Sequence, residues 1–206
     1  MNKIITNKIR RKFIVLSLAL LTSVSVCALE NVNFVLRSSL GYEHDGASSN
    51  IGRTYNSELT LGVSNAIDDH WSYIFSTGYI LSRSLQQGSG RIYTWYNTSA
   101  IPICFDMNWA NDNTSRFSTI FGARLGYDIS LESARNTEMI NKESMVYHDQ
   151  GYYDDGFSFM PHAGVLFNSS DSFASQISVG YKFHLNSSGE NYMINQFVVS
   201  YTIYVL

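Results

Sequence analysis

Two of the five histidines are followed directly by an aspartate, the smallest arrangement that could supply a general base and a group to orient it. These pairs are His44-Asp45 and His148-Asp149. Adjacent loop residues rarely face each other in this way, and no motif for a serine nucleophile accompanies either pair. We therefore expect both pairs to be polar loop residues, and we predict no catalytic residues.

Carboxylates are numerous enough to raise the question of a metal site. Calcium binds carboxylate and carbonyl oxygens. One stretch carries six acidic residues, which are Glu132, Glu138, Glu143, Asp149, Asp154 and Asp155. Their spacing matches no defined calcium loop, and residues 106–113, rich in Asp and Asn, lack the Gly and terminal Glu of an EF-hand. The sequence therefore predicts neither a metal ion nor any other cofactor.

Residues 1–28 have the order of a secretory signal peptide. Five cations without an acid precede the apolar run 13–21, and Val26 and Ala28 suit a cleavage site. The apolar run is shorter than the roughly 20 residues of a membrane-spanning helix, so we expect a cleaved leader and a mature domain of residues 29–206. Without the leader, nine basic residues face 17 acidic ones, a net charge of about −8, which argues against a nucleic-acid partner.

The rest of the chain alternates between apolar and small or polar residues, which is the period of a β-strand. The 14 Tyr, 12 Phe, 14 Gly and only 2 Pro also favour strands over helices. The predicted strands are residues 34–43, 55–63, 71–81, 93–105, 117–129, 157–167, 173–185 and 192–205. Because their number is even and each is long enough to cross a membrane when tilted, we predict an all-β, eight-stranded antiparallel up-and-down transmembrane β-barrel.

The predicted connections fall into two sets. Links 65–69, 106–115 and 168–172 join the strands at one end of the barrel. Links 44–52, 82–90, 130–156 and 186–191 join them at the other end, and the 27 residues of link 130–156 make it the longest. Outer-membrane barrels place long loops outside and short turns in the periplasm, so this second set predicts the extracellular end.

Alternation alone does not decide which face of the strands points outward. A soluble lipocalin-like barrel would turn its apolar face inward and leave the charged face in water, whereas a membrane barrel would turn its apolar face toward lipid. Small residues on the polar face and aromatic residues near strand ends favour the membrane barrel. The soluble barrel remains the alternative.

Charged residues on the polar face predict an interior network. Its four members are Arg37, Glu58, Arg124 and Lys182. A lone charge in a narrow barrel is costly, whereas paired charges stabilise the closed state. We therefore predict a plug-like salt-bridge network without a continuous wide pore. His162 and His184 share this face and are expected to form structural hydrogen bonds, and the lone Cys104 of the mature chain is expected to be buried.

Four short motifs follow one another across residues 31–206. They are residues 96–103 with Ile101-Pro102-Ile103, residues 117–129 with Gly122 and Gly126, Asp155-Gly156-Phe157 leading to Ala163-Gly164-Val165, and Val179-Gly180-Tyr181-Lys182-Phe183. In this order they resemble the small porin-family outer-membrane β-barrels common in Bacteroidetes. The resemblance implies the outer membrane of a Gram-negative cell and insertion by the barrel-assembly machinery. That machinery reads a terminal aromatic residue, so the final Leu206 departs from the pattern and Tyr204 is the nearest substitute.

The predicted function is that of a non-enzymatic scaffold whose loops meet the exterior. Link 130–156 is longer than a connection requires, and it carries the candidate contact residues Tyr147, His148, Tyr152 and Tyr153. The expected partners are outer-membrane lipid and lipopolysaccharide, and the expected state is a monomer. The alternative function is a lipid A-modifying enzyme, a deacylase or an acyltransferase, that uses rim or loop His and Ser residues.

Overall fold

A computed structural model describes residues 32–43, 51–87, 93–112, 115–138, 155–170, 172–186 and 193–205. The strands are β1 (Asn33–Glu43), β2 (Ile51–Ala66), β3 (Trp71–Gln87), β4 (Tyr93–Ala110), β5 (Phe117–Glu138), β6 (Gly156–Ser170), β7 (Phe173–Asn186) and β8 (Met193–Val205). Each strand pairs with the next, and antiparallel pairing of β1 with β8 closes the barrel. The predicted eight-stranded antiparallel barrel is confirmed. Among the described residues, no helix is long and apolar enough to cross a membrane.

Successive residues of each strand point alternately into the barrel and out of it. In β7, the side chains of Gln176, Ser178 and Lys182 are buried in the lumen, whereas those of Ile177 and Val179 are exposed on the outer surface. The same division holds around the barrel, where most exposed large side chains are Leu, Phe, Tyr or Val. The soluble alternative is therefore wrong, because the apolar face lies outside and the charged face lies inside.

The strands are longer than the alternation of apolar residues predicted. Strand β3 continues to Gln87, β4 to Ala110 and β5 to Glu138, so the links predicted at 82–90, 106–115 and 130–156 began too early. In β4 the alternation itself continues, with Asp106 and Asn108 in the lumen and Met107 and Trp109 outside. Backbone hydrogen bonding between neighbouring strands does not depend on the side chains, so a strand can extend beyond its apolar residues. The candidate contact residues of the third link, 147, 148, 152 and 153, lie outside the described residues.

The two ends of the barrel differ in their connections. At one end, here called the turn end, short connections at residues 67–70, 111–116 and 171–172 join β2 to β3, β4 to β5, and β6 to β7. In the first of these turns, Asp68 Oδ1 accepts hydrogen bonds from the backbone N–H groups of Trp71 at 2.6 Å and His70 at 2.8 Å. These two hydrogen bonds, that from Trp71 above all, lower the pKa of Asp68. The opposite end is the loop end.

Glycine on the lumen face leaves room for larger polar neighbours. A Cβ atom added to Gly122 of β5 would collide with Asn108 Oδ1 and His162 Nε2, which are themselves 2.8 Å apart. Eight strands enclose a lumen just wide enough for side chains to fill. A side chain at position 122 would therefore displace the contact between Asn108 and His162 that crosses from β4 to β6.

Candidate functional site: the charged interior

Six charged side chains are buried in the lumen among the residues whose side chains are described. Three are basic and three are acidic, so their formal charges balance. They are Arg37, Glu58, Asp106, Arg124, Asp128 and Lys182, and we call them the charged layer. All six occupy lumen-facing positions of β1, β2, β4, β5 and β7. Their burial follows from the strand period, which places every second residue inside.

Asp106 is the centre of the larger group of ion pairs. Its two carboxylate oxygens lie 3.1 and 3.0 Å from Arg37 Nη1, and its Oδ1 also accepts a hydrogen bond from Arg124 Nε at 3.1 Å. Arg124 Nη1 in turn lies 2.7 Å from Glu58 Oε1. The contact of Arg37 with Asp106 joins β1 to β4, and that of Arg124 with Glu58 joins β5 to β2, so both cross the lumen between strands that are not neighbours in the sheet. Asp106 and Arg124, in contrast, are cross-strand partners on the adjacent strands β4 and β5.

A second group lies nearer the loop end. Asp128 Oδ2 is 2.8 Å from Lys182 Nζ and 3.2 Å from His184 Nδ1. Asp128 belongs to β5 and both partners belong to β7, so the contacts pass across the inner face of β6. The carboxylate is fully buried, and a charge in such a place is stable only when ion pairs and hydrogen bonds offset its desolvation.

Neutral polar side chains extend the network toward the remaining strands. Arg37 Nε donates to Thr202 Oγ1 of β8 at 3.1 Å. Asn56 Nδ2 donates to Gln196 Oε1 at 2.7 Å, and Ser82 Oγ donates to Asn56 Oδ1. Polar contacts of the lumen thus involve β3 and β8 in addition to the strands of the charged layer.

At the turn end the lumen is filled by apolar side chains instead. This set, the apolar layer, consists of Val35, Ile74, Ala110, Ile120, Leu166, Ala174 and Tyr204, all of them buried. Tyr204 also donates a hydrogen bond from its hydroxyl to Gln176 Oε1 at 2.5 Å. The layer therefore packs seven strands against one another next to the charged layer.

The four residues predicted for the interior are thus buried in the lumen, and the structure divides them between two groups. Arg37, Glu58 and Arg124 meet around Asp106, whereas Lys182 meets Asp128. Sequence reasoning missed both aspartates as members of the network. Asp106 was assigned to a turn because it begins a polar stretch, although it keeps the even, lumen-facing positions of Pro102 and Cys104. Asp128 lies on the same alternate face as Arg124, which was a usable signal.

The described histidines take part in structural contacts. His162 Nε2 lies 2.8 Å from Asn108 Oδ1, and His184 lies beside Asp128. In the β2–β3 turn, the ring of His70 stacks on Trp109 with centroids 6.0 Å apart, and its Nδ1 lies 3.1 Å from the carbonyl oxygen of Ala110. The other two histidines lie outside the described residues. Within the described part of the chain, no three His, Cys, Asp or Glu residues are grouped so as to hold a metal ion.

Cys104 lies on the lumen face of β4 and is buried, which confirms its predicted burial.

The sequence matches no protein-family model and no curated protein. Solved structures with the same fold include the following two. Neisserial surface protein A is 10% identical, with 84% of this chain and 96% of that chain covered and a TM-score of 0.51. The outer membrane protein OprG from Pseudomonas aeruginosa is 13% identical, with 85% and 96% covered and a TM-score of 0.53. The chain has the apolar exterior, the polar lumen and the fold of an eight-stranded outer-membrane β-barrel. It is therefore a protein of the outer membrane.

Proposed function

We propose that the protein is a non-enzymatic outer-membrane scaffold of the small porin-family type, with a filled lumen and a functional outer surface. The observation that carries this proposal is the position of Arg124, which reaches across the lumen to Glu58 of β2 and also contacts Asp106 on the adjacent strand β4. A side chain held between two carboxylates in the middle of a narrow barrel occupies the path that a solute would take.

Charge balance supports a closed lumen. Three buried cations and three buried carboxylates neutralise one another, so a permeating ion would have to separate pairs that burial holds together. The apolar layer adds a second obstacle, because its side chains offer no polar atoms to replace the water around an ion except the Tyr204 hydroxyl.

The scaffold would present its loop end to the exterior. Strands β3, β4 and β5 have 17, 18 and 22 residues, compared with 11 in β1, so one side of the barrel is much taller than the other. Since all three strands meet the short turns at one end, the additional length extends toward the loop end. In this proposal the third link, with Tyr147, His148, Tyr152 and Tyr153, is the contact surface, and lipopolysaccharide surrounds the loop-end half of the barrel.

The proposal includes the origin and assembly of the protein. A signal peptide of residues 1–28 directs export, the barrel-assembly machinery inserts the mature chain, and the inserted protein is a monomer. The order of motifs from Ile101-Pro102-Ile103 to Val179-Gly180-Tyr181 supports membership of the Bacteroidetes-type barrels.

Conductance in planar lipid bilayers tests the filled lumen. Protein extracted from outer membranes is expected to give no large, stable channels under conditions in which a wide porin, added as a positive control, conducts. Heat-modifiable gel mobility of the same sample establishes that the inserted protein is folded. Large channels of reproducible size from folded wild-type protein would contradict the proposal.

The non-enzymatic role is tested on lipid A itself. Lipid A from cells with and without the gene is expected to show the same acyl chains by mass spectrometry across growth conditions. Gain or loss of an acyl chain that depends on the gene would replace the scaffold with a deacylase or an acyltransferase.

A further inference from the structure

The outer surface carries a groove of about 350 Å³ that crosses β4, β5, β6 and β7 and is also lined by Phe75 of β3, the cross-strand partner of Phe105. Two parallel rows of large side chains form its walls. The row nearer the turn end is Phe105, Leu125, Phe159 and Phe183, and each of these residues is the cross-strand partner of the next. The row nearer the loop end is Ile103, Tyr127, Phe157 and Leu185, paired in the same way.

The floor of the groove is backbone. Between the two rows lie Cys104, Gly126 and Ser158. The side chains of Cys104 and Ser158 point into the lumen, and Gly126 has no side chain, so only backbone faces the groove. Rows two residues apart on a strand are separated by about 6.8 Å, and four adjacent strands span roughly 14 Å. The groove therefore has the width and length of an extended hydrocarbon chain, and its walls are almost entirely apolar.

Ring contacts hold both walls in place. In the loop-end row, the rings of Tyr127 and Phe157 meet edge to face with centroids 4.9 Å apart. In the turn-end row, Phe159 and Phe183 stack with centroids 6.4 Å apart. Aromatic pairs of this kind pack in defined geometries, so the walls are preformed.

On the opposite side of the barrel, corresponding rows are interrupted by small residues. One row across β1, β2 and β3 runs from Ser38 to Leu59 and Tyr79, and the next contains Ser57 between Leu40 and Leu81. Each of these rows has a gap where its serine lies, so neither forms a continuous wall. These two rows across β1, β2 and β3 therefore form no groove of this kind.

The position of the groove identifies what covers it. Its walls lie within the apolar exterior that faces lipid, and Phe157 and Leu185 are the last outward apolar residues of their strands before the loop end. We infer that the groove is a specific binding site for one acyl chain of lipopolysaccharide. The inference rests on the proposed function in one respect, the orientation that places the loop end outside and therefore in the leaflet that contains lipopolysaccharide.

Native mass spectrometry of the folded protein in detergent tests this inference, with lipopolysaccharide of defined acylation and phosphatidylethanolamine of matched chain length as separate probes. Phe159→Ala/Phe183→Ala removes half of one wall, and Phe34→Ala/Phe197→Ala removes two exposed rings from β1 and β8 as the matched control. The wild type and the control are expected to retain one lipopolysaccharide molecule, whereas the groove variant binds it about tenfold more weakly because it loses apolar contact area.

A second pair of variants blocks the groove without removing apolar surface. Leu125→Trp places a larger ring in the groove, and Leu59→Trp makes the same change on β2, where the exposed fraction of the leucine is similar at 54% against 59%. Only Leu125→Trp is expected to weaken lipopolysaccharide binding. Equal weakening in both members of either pair, or tighter binding of phosphatidylethanolamine than of lipopolysaccharide, would overturn the inference.

The outcome is independent of the conductance test. Open channels in wild-type bilayers would remove the filled-lumen proposal and leave lipid binding in the groove measurable. If groove and control variants bind lipopolysaccharide equally well and the wild-type protein forms no channels, only the acyl-chain site is contradicted.

Discussion

The charged layer and the apolar layer of the lumen are both buried, yet they are held together by different physics. Arg124 lies 2.7 Å from Glu58 and 3.1 Å from Asp106, so the charged layer depends on particular partners at particular positions. Ile74 and Ile120 contribute only shape and apolar area to the layer beside it. The comparison shows that a small barrel combines a directional layer, which fails when one partner is lost, with a non-directional layer, which fails in proportion to the volume removed.

Replacement of Asp106 by Ala should produce the largest loss of stability. The substitution leaves Arg37 and Arg124 without their shared carboxylate in a buried place, and breaking a buried ion pair from one side costs about 3–5 kcal/mol. Urea unfolding of the protein in lipid vesicles measures the loss. Asp69→Ala, in the exposed β2–β3 turn, is the control and should change little. A loss below about 1 kcal/mol for Asp106→Ala would show that the charged layer does not depend on this carboxylate.

Ile120→Ala should lower the free energy of unfolding by no more than Asp106→Ala does. Removal of its buried side-chain carbons from the apolar layer leaves a cavity, and such changes cost about 2–5 kcal/mol according to how far the neighbours relax. Unfolding in the same vesicles gives the value. Ile120→Val should then cost only about 0.5–1.5 kcal/mol. Equal losses of stability in Ile120→Val and Ile120→Ala would show that the stability of the apolar layer does not depend on the side-chain volume removed.

Tyr204→Phe tests the polar contact that the apolar layer contains. The substitution keeps the ring and removes the hydroxyl that donates to Gln176 Oε1, so the expected loss is about 1 kcal/mol. Equilibrium unfolding is again the measurement, and Tyr201→Phe on the outer surface of the same strand serves as the control. If both substitutions change the free energy of unfolding equally, the hydrogen bond of the Tyr204 hydroxyl does not stabilise the protein.

The smallest effect is expected at Asp68, which lies outside both layers in the exposed β2–β3 turn. Hydrogen bonds from Trp71 and His70 lower its pKa in the folded state, so its contribution is complete above the pKa of the unfolded chain and is lost as the pH falls through the folded pKa. Asp68→Ala should therefore be slightly less stable than the wild type at pH 7, and this difference should vanish in acid. Unfolding at a series of pH values measures it. A difference that persists unchanged at low pH would exclude the carboxylate as its source.

The fold could be predicted because a membrane barrel displays its organisation in the period of its sequence. From residue 177 to residue 185 apolar residues alternate with small or polar ones, and the structure turns Ile177 and Val179 outward and Ser178 and Lys182 inward, as that period requires. Strand ends were harder to predict. From Asp106 to Ala110 the backbone continues its ladder with β5, but the lumen positions Asp106 and Asn108 are polar, and a polar residue on the lumen face resembles a polar residue in a turn.

The interior could be predicted in part. Arg37, Glu58, Arg124 and Lys182 were recognised as lumen residues from their positions on alternating strands. Which of them pair could not be predicted, because Arg124 and Glu58 join β5 to β2 across the barrel and no spacing along one strand reports which side chains meet in the lumen. The outer groove was likewise invisible in the sequence, since its walls combine one or two large side chains from each of five strands.

The sequence by itself determined the number of strands, their alternating faces and their order, because these depend on local backbone geometry and on the choice between lipid and a polar interior at each residue. Only the tertiary structure decided which charges pair, where the apolar layer lies and where two rows of side chains align into a groove. These features depend on the register between strands and on the curvature of the closed barrel, which place Asp106 against Arg37 although 69 residues separate them.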